Sequence, residues 1–180
     1  PIIVERMNKS LAVHPSSLQK FSYTIVYDHP LIQTQTYEYD ASPSAFQRDI
    51  AVARTFAFEN DVEGLWSNGQ GMGGSLENTL VFSETNLLNE TGLRFPDECI
   101  RHKILDLIGD LTLVGLPIIG HFIASRAGHE LHASLATAIV EHPDAWILLN
   151  TLEEDNRMAA TVSPLAQTAA PQTQPVLSTQ

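Results

Sequence analysis

The stretch RHKILDLIGD, residues 101–110, places a histidine and two aspartates at intervals of four in an otherwise apolar run. An α-helix turns once every 3.6 residues, so the side chains of His102, Asp106 and Asp110 leave the same side of the helix. The apolar positions around them predict a mostly buried helix, in which each carboxylate needs an ionic partner or a bound cation. This stripe is therefore a candidate functional site.

The spacing alone fits two interpretations of this stripe. His102 and Asp106 are four residues apart, so an imidazole nitrogen and a carboxylate oxygen can reach one zinc ion. Alternatively, the stripe is a solvated polar face with Arg101 and Lys103 beside it. His-x-x-x-Asp is a short pattern, and it does not decide between a metal site and a polar surface.

Four strand-like runs, rich in apolar residues or alternating in polarity, precede this helix at residues 1–6, 10–15, 21–30 and 32–40. We expect them to form a four-stranded, largely antiparallel sheet. Ser42 then predicts a helix N-cap, with Pro43 at the first helical position. The sequence begins in a strand-like pattern without an initiator methionine, which we interpret as a start within a longer protein.

A short helical stretch runs into a glycine-rich loop at residues 60–75, and a predicted strand follows at 78–82. The glycines do not form a P-loop, because no Gly-Lys-Ser/Thr sequence follows them. They do not form a dinucleotide fingerprint either, since no strand leads directly into them and no long helix leads out. We interpret this loop as a flexible turn.

The remaining pattern predicts a long helix, a buried strand, a second helix and a last short strand, at residues 95–115, 117–125, 129–142 and 145–152. The end of the chain is poor in charge and rich in Ala, Thr, Gln and Pro, which predicts a disordered tail at 157–180. The fold class is therefore α+β, a mostly antiparallel sheet packed against helices within a domain at 1–156.

The composition excludes several classes of protein. Acidic residues outnumber basic ones by 21 to 10, and a net charge of −11 disfavours nucleic acid or an anionic membrane surface as a partner. No apolar run reaches the roughly 18 residues of a membrane span, and the N-terminus has no signal-peptide pattern. The single cysteine, Cys99, excludes an intrachain disulfide, and a cytoplasmic location is the simplest interpretation.

An ordered series of motifs runs through residues 54–82 and 89–129: RTF, GGS, LNE-x-GLRF-x-DE, RHK-x-LD-x-IGD and GH. In order and spacing, it resembles the second domain of UDP-3-O-acyl-N-acetylglucosamine deacetylase, and the likeness covers nearly all of the chain except the tail. The resemblance implies zinc-dependent hydrolysis of the N-acetyl group with release of acetate, the committed step of lipid A biosynthesis. It also implies that the α+β fold is one half of a two-domain β-α-α-β sandwich.

The resemblance also implies catalytic roles, one residue at a time. His102 and Asp106 match two zinc ligands, and His129 matches the general acid that protonates the leaving amine. Asp110 matches a carboxylate that hydrogen-bonds this histidine, holds its tautomer and favours its protonated form. Thr55 matches a hydroxyl that stabilises the tetrahedral oxyanion.

Substrate contacts follow from the same resemblance. Lys103 matches a basic residue near the substrate diphosphate, and Phe56 matches an aromatic wall beside the substrate. Residues 57–82 match an insert that forms an apolar passage for the acyl chain. The matched residues in this insert are Val62, Gly74 and Ser75. The alternative is that the apolar residues of the insert only cover the core of the domain.

The family's third zinc ligand is a histidine that follows a glutamate general base, and both lie in the first domain. Glu141 and His142 do not match that pair, because they end the last predicted helix. We therefore expect the first domain to be absent and the chain to carry half of an active site. The alternatives are a non-catalytic binding module and a half-site completed by a partner chain. Five histidines are predicted to be surface or hydrogen-bonded core residues: His14, His29, His121, His132 and His142.

Overall fold

The structure is a computed structural model that describes residues 1–149. Its strands are β1 (Ile2–Arg6), β2 (Lys9–His14), β3 (Lys20–Val26), β4 (Thr34–Asp40), β5 (Thr55–Phe58), β6 (Thr79–Phe82) and β7 (His121–Ser125). Its α-helices are α1 (Pro43–Ala45), α2 (Glu59–Ser67), α3 (Glu98–Leu111) and α4 (His129–Glu141). A π-helical turn at Phe46–Ile50 continues α1, and 3₁₀ turns lie at Thr112–Val114 and Pro143–Ala145.

Five strands form one mixed sheet in the order β1-β2-β7-β3-β4. The hairpins β1–β2 and β3–β4 are antiparallel, as the sequence predicts. However, β7 lies between them, antiparallel to β2 and parallel to β3. The prediction of one four-stranded sheet from the first forty residues is therefore wrong, because a strand from much later in the chain supplies the centre. The mixed sheet with its helices confirms the predicted α+β class.

The helices pack on one face of this sheet. Four residues of α3 at spacings of three and four form the stripe that faces the sheet: Ile100, Ile104, Leu107 and Leu111. They join alternate residues of the central strands, Phe21, Tyr23, Ile25, Phe122 and Ala124, in one buried cluster. Burying each large apolar side chain of this cluster contributes about 1.5–3 kcal/mol. This packing determines which side of α3 points away from the sheet, and His102, Asp106 and Asp110 lie on that side.

The helix bounds confirm most of the sequence predictions. The Ser42 hydroxyl accepts a hydrogen bond from the Ala45 N–H at 3.2 Å, which makes Ser42 the predicted N-cap. Helix α3 is shorter than predicted, because residues 95–97 stay outside it and its last turn tightens into a 3₁₀ turn. Gly115 ends this turn in a left-handed conformation with φ of 85°, which favours glycine.

Three predicted strands have different outcomes. Strand β6 confirms the prediction at 78–82. It pairs in parallel with β5, a strand that the sequence analysis did not predict. The strand predicted at 117–125 forms only at its end, as β7. The strand predicted at 145–152 is wrong over its described part, where a 3₁₀ turn is followed by irregular chain. The rest of that run and the predicted tail at 157–180 lie outside the described residues.

Over residues 1–149, no helix has the length and apolar character needed to cross a bilayer.

Candidate active site

An open cavity of about 590 Å³ lies where β5, α2, α3 and the start of α4 meet. Most of the predicted site residues line it: Thr55, Phe56, His102, Lys103, Asp106 and His129. Three distant parts of the sequence therefore converge on one space. Asp110 lies one helical turn beyond Asp106 and contacts His129. The structure places Val62, Gly74 and Ser75 outside the residues that line this cavity.

The predicted metal pair is in contact within the cavity. The Nε2 atom of His102 lies 3.1 Å from Oδ1 of Asp106. Two donors that each bind one tetrahedral ion at about 2.1 Å lie about 3.4 Å apart, so this spacing fits a shared zinc ion. The Nδ1–H of His102 donates to the Ala53 carbonyl oxygen at 3.0 Å. This hydrogen bond fixes the ring and directs Nε2 towards Asp106, the position from which it would bind a shared metal.

Asp106 is also in contact with a cation. The Lys103 ammonium lies 2.6 Å from Oδ2 of Asp106, and both side chains are largely buried. Burial raises the pKa of the Asp106 carboxyl, but the hydrogen bond from His102 and the charge of Lys103 together lower the pKa well below its usual range. Asp106 is therefore ionised at neutral pH, the form in which a carboxylate binds a metal ion.

The predicted contact between Asp110 and His129 is present. The Nδ1–H of His129 donates to Oδ2 of Asp110 at 2.7 Å. The other ring nitrogen, Nε2, lies 3.9 Å from Oδ2 of Asp106. The His129 side chain is 68% exposed, and it lines the cavity beside the predicted metal pair. This arrangement presents Nε2 to the cavity while the carboxylate holds Nδ1.

His132 is a hydrogen-bonded core residue, one of the two alternatives that the sequence predicts, but its contact with Asp110 was not predicted. The Nδ1 atom of His132 also lies 2.7 Å from Oδ2 of Asp110, and the His132 side chain is fully buried. Burial lowers the pKa of His132 more than Asp110 raises it, and because a carboxylate oxygen only accepts, the Nδ1–H of His132 donates to Asp110. The signal was present in the sequence, because His129 and His132 are three residues apart and share a helix face.

Asp110, His129 and His132 form a group whose ligand-type atoms all lie within 4.8 Å of one another, so the group could hold a metal ion. It differs from the predicted ligand pair, His102 and Asp106. Both imidazoles lie at hydrogen-bond distance from one carboxylate oxygen, and this spacing is typical of a hydrogen-bonded cluster. We therefore treat the group as the support of His129.

A buried ion pair holds the start of β5 against the start of α3. The Glu98 carboxylate accepts hydrogen bonds from Arg54 Nε at 2.9 Å, from Arg54 Nη2 at 3.1 Å and from the Arg54 backbone N–H at 3.0 Å. It also accepts one from the Arg94 backbone N–H at 2.6 Å. Arg54 lies between Ala53, whose carbonyl oxygen orients His102, and the cavity residue Thr55. The ion pair of Arg54 with Glu98 therefore positions both neighbours.

We expect Glu98→Gln to lower the free energy of unfolding by about 3–5 kcal/mol at pH 7, because it leaves the buried Arg54 guanidinium without its anionic partner. Burial raises the pKa of Glu98, but its hydrogen bonds with Arg54 and Arg94 lower it overall. The pair therefore stabilises the fold above the unfolded pKa of about 4.5, and this contribution is lost as pH falls through the lower folded pKa.

Urea unfolding at pH 7 and at acidic pH measures both effects of Glu98→Gln. The control is Glu90→Gln, which changes an exposed carboxylate near the pair and is expected to shift stability by less than about 0.5 kcal/mol. Equal stability of the two variants at pH 7 would contradict the role of the ion pair.

Aromatic side chains form one side of the cavity. Phe56 and Phe58 of β5 both contact the ring of Tyr27, with centroids 5.4 and 5.7 Å apart. Gly64 and Leu65 of α2 line the same cavity. The apolar wall thus continues from the predicted position of Phe56 towards α2.

The remaining histidines and the cysteine lie outside this cavity. Buried His29 hydrogen-bonds the Ser83 carbonyl oxygen at 2.8 Å, and His121 lies 2.9 Å from Oγ of Ser22, as expected for hydrogen-bonded residues. His14 is half-buried and His142 is exposed. The Cys99 thiol is buried, and burial raises its pKa to about 12, which makes it unreactive at neutral pH.

Comparison with known proteins shows one family. Residues 1–141 match the family model described as UDP-3-O-acyl N-acetylglycosamine deacetylase. The chain is 42% identical over 146 residues to UDP-3-O-acyl-N-acetylglucosamine deacetylase of Syntrophus aciditrophicus, which covers 81% of this chain and 46% of that protein. It is 45% identical over 154 residues to the protein of that name from Oleidesulfovibrio alaskensis, which covers 86% and 50%. The chain thus spans about half the length of the curated relatives it matches.

Proposed function

The chain belongs to the UDP-3-O-acyl N-acetylglycosamine deacetylase family, and we propose that it supplies one half of a zinc-dependent deacetylase active site. The proposed reaction is hydrolysis of the N-acetyl group of UDP-3-O-acyl-N-acetylglucosamine, with release of acetate, in lipid A biosynthesis. One observation carries the proposal: His102 and Asp106 of α3, His129 of α4 and Thr55 of β5 line a single cavity. A cytoplasmic location stays a prediction from the sequence.

His102 and Asp106 would hold the zinc ion, since their donor atoms are close together and His102 is oriented by a carbonyl oxygen. A bound zinc ion lowers the pKa of water and polarises a carbonyl oxygen. A catalytic zinc site normally takes three protein ligands. We propose that a first domain supplies the third, a histidine, together with a glutamate general base.

The residues of this chain would act on the substrate from different sides of the cavity. His129 would donate a proton from Nε2 to the departing amine nitrogen, while Asp110 holds its Nδ1–H. The Thr55 hydroxyl would donate a hydrogen bond to the oxyanion that forms from the amide carbonyl. Lys103 would bind an anionic group of the substrate, as its position at the cavity wall allows.

The test is acetate release from UDP-3-O-acyl-N-acetylglucosamine by the protein that contains this chain, measured with its zinc content. We expect turnover with about one zinc ion per active site. The control variant is His142→Ala, which changes an exposed histidine outside the cavity and should leave both values unchanged. Zinc binding without acetate release would favour a non-catalytic binding module.

The apolar wall gives a test of acyl-chain binding. We propose that the acyl chain lies along Phe56, Phe58, Gly64 and Leu65. At Gly64 an added Cβ meets no atom within 4 Å, so Gly64→Leu should fold and extend its side chain into the cavity. We expect the variant to reduce kcat/KM about tenfold to a hundredfold for long-chain substrates, roughly 1.4–2.7 kcal/mol of lost binding, and less for short-chain ones.

Steady-state kinetics with a series of acyl lengths measures this effect. The control is Gly109→Ala, which changes a glycine of α3 outside the cavity lining. An equal loss for all acyl lengths would contradict an acyl site at this wall. The positions of Gly74 and Ser75 make them weaker tests, because a Cβ at Gly74 would lie 3.1 Å from the Gly71 carbonyl oxygen and would disturb the turn itself.

A further inference from the structure

We propose that His132 is a positioning residue for this deacetylation, acting through Asp110 on His129. The inference rests on the proposed function, because it gives His132 a part in orienting the general acid. His132 does not line the cavity and has no hydrogen bond to the predicted metal pair, since its side chain is fully buried in the first turn of α4. Among the described residues, its hydrogen-bonded link to His129 is the carboxylate of Asp110.

Oδ2 of Asp110 has two hydrogen-bond partners in very different surroundings. His129 and His132 each place Nδ1 at 2.7 Å from this single oxygen, with ring centroids 5.9 Å apart. The His129 ring is 68% exposed and the His132 ring is fully buried. The buried partner is held by packing, so it fixes the position of the carboxylate that the exposed partner depends on.

The far side of His132 is held as well. Its Nε2 atom lies 3.1 Å from the Tyr23 hydroxyl, which lies 2.9 Å from the Ala127 carbonyl oxygen. The Tyr23 ring is fully buried on β3 and meets the His132 ring edge-on. Ala127, Tyr23, His132 and Asp110 therefore form one chain of hydrogen-bond contacts that ends at His129.

This support explains how an exposed imidazole keeps one orientation. A single hydrogen bond between His129 and Asp110 leaves the Asp110 side chain free to rotate about its own bonds, and the imidazole would follow it. The hydrogen bond from His132 fills the other approach to Oδ2 and removes that freedom. The expected result is a His129 ring whose Nδ1 carries the proton held by Asp110 and whose Nε2 faces the cavity.

Two amide substitutions separate positioning from general stability. In His132→Asn the amide nitrogen lies at the position of Nδ1, so the donor to Asp110 is retained. In His132→Gln the amide lies one bond further out, so contact with Tyr23 is retained and contact with Asp110 is lost. Both variants bury one amide of similar chemistry, and the pair therefore differs chiefly in which neighbour is hydrogen-bonded.

The experiment measures kcat and KM for both variants in the zinc-loaded protein that contains this chain. We expect His132→Gln to lower kcat about tenfold to a hundredfold with KM unchanged, the usual loss when the support of a working residue is removed. His132→Asn should retain most of the turnover. The control is His121→Gln, which changes a hydrogen-bonded histidine on the opposite face of the sheet and should leave kcat unchanged.

A second measurement does not depend on turnover. Nitrogen-15 NMR of the histidine rings, recorded at alkaline pH where the imidazoles are neutral, reports which nitrogen of His129 carries the proton. We expect one tautomer in the wild type and in His132→Asn but a mixture in His132→Gln. This result holds even if the protein releases no acetate, so failure of the proposed function and failure of the positioning role are distinguishable.

Equal kcat and an unchanged His129 tautomer in the two amide variants would overturn the proposal, as would loss of zinc from both. If His132→Gln does not fold, His132→Leu takes its place, because an apolar side chain fills the buried space and offers no donor to Asp110. We expect that variant to lower kcat and to mix the His129 tautomers. Wild-type kcat and a single tautomer in His132→Leu would overturn the proposal.

Discussion

Replacing His102 with alanine is expected to reduce zinc affinity by more than a hundredfold and to abolish measurable deacetylation. His102 Nε2 lies beside Oδ1 of Asp106, and its ring is already oriented by the Ala53 carbonyl oxygen. Removing the residue deletes a donor outright, whereas altering a residue that only supports a metal ligand typically costs tenfold to about a hundredfold in affinity. Zinc titration with a competing chelator, followed by an activity assay, measures both quantities.

The matched control is His29→Ala, which removes another hydrogen-bonded histidine from the same fold. His29 lies outside the cavity and contacts a carbonyl oxygen. Its loss should change stability and leave the zinc stoichiometry intact. Full retention of zinc in His102→Ala would show that the ion binds elsewhere. The alternative metal site would then be the group of Asp110, His129 and His132.

Replacing His129 with alanine is expected to lower kcat by about a hundredfold to ten-thousandfold, the usual contribution of a positioned general acid or base. The zinc content should stay at the wild-type value. His129 lies near Asp106, yet its closest hydrogen-bond partner is the Asp110 carboxylate, which places it beside the metal pair and not within it. The two alanine variants therefore separate metal binding from proton transfer.

Zinc analysis and single-turnover kinetics test this separation. The control is Glu130→Ala. Glu130 directly follows His129 in α4 and its side chain is exposed, so this variant should leave kcat unchanged. Loss of zinc from His129→Ala would make His129 a ligand and contradict its role as the acid. Unchanged kcat with zinc retained would show that another group protonates the amine.

The sequence predicts the polar stripe of α3 well because its determinants are local. His102, Asp106 and Asp110 share a face through helix geometry alone, and the apolar positions between them fix which side faces the sheet. Gly115 likewise marks the helix end through its own backbone conformation. These features depend on residues within a few turns of one another.

The missed features depend on contacts distant in sequence. Strand β5 has only four residues and gains its pairing from β6, more than twenty residues later. His132 has Asp110 and Tyr23 as hydrogen-bond partners, and no pattern around His132 in the sequence identifies Tyr23 as its partner. The apolar run predicted as a strand at 145–152 finds no pairing partner within its described part. Apolar composition alone does not supply a neighbouring strand.

The central place of β7 sets an order of events during protein synthesis. Before residues 121–125 leave the ribosome, the hairpins β1–β2 and β3–β4 have no strand between them, and β2 and β3 each present an unpaired edge. At about 5–20 residues per second, the interval between β4 and β7 lasts several seconds. Nascent chains are therefore exposed to wrong edge pairing during that time, and chaperone demand should peak just before β7 emerges.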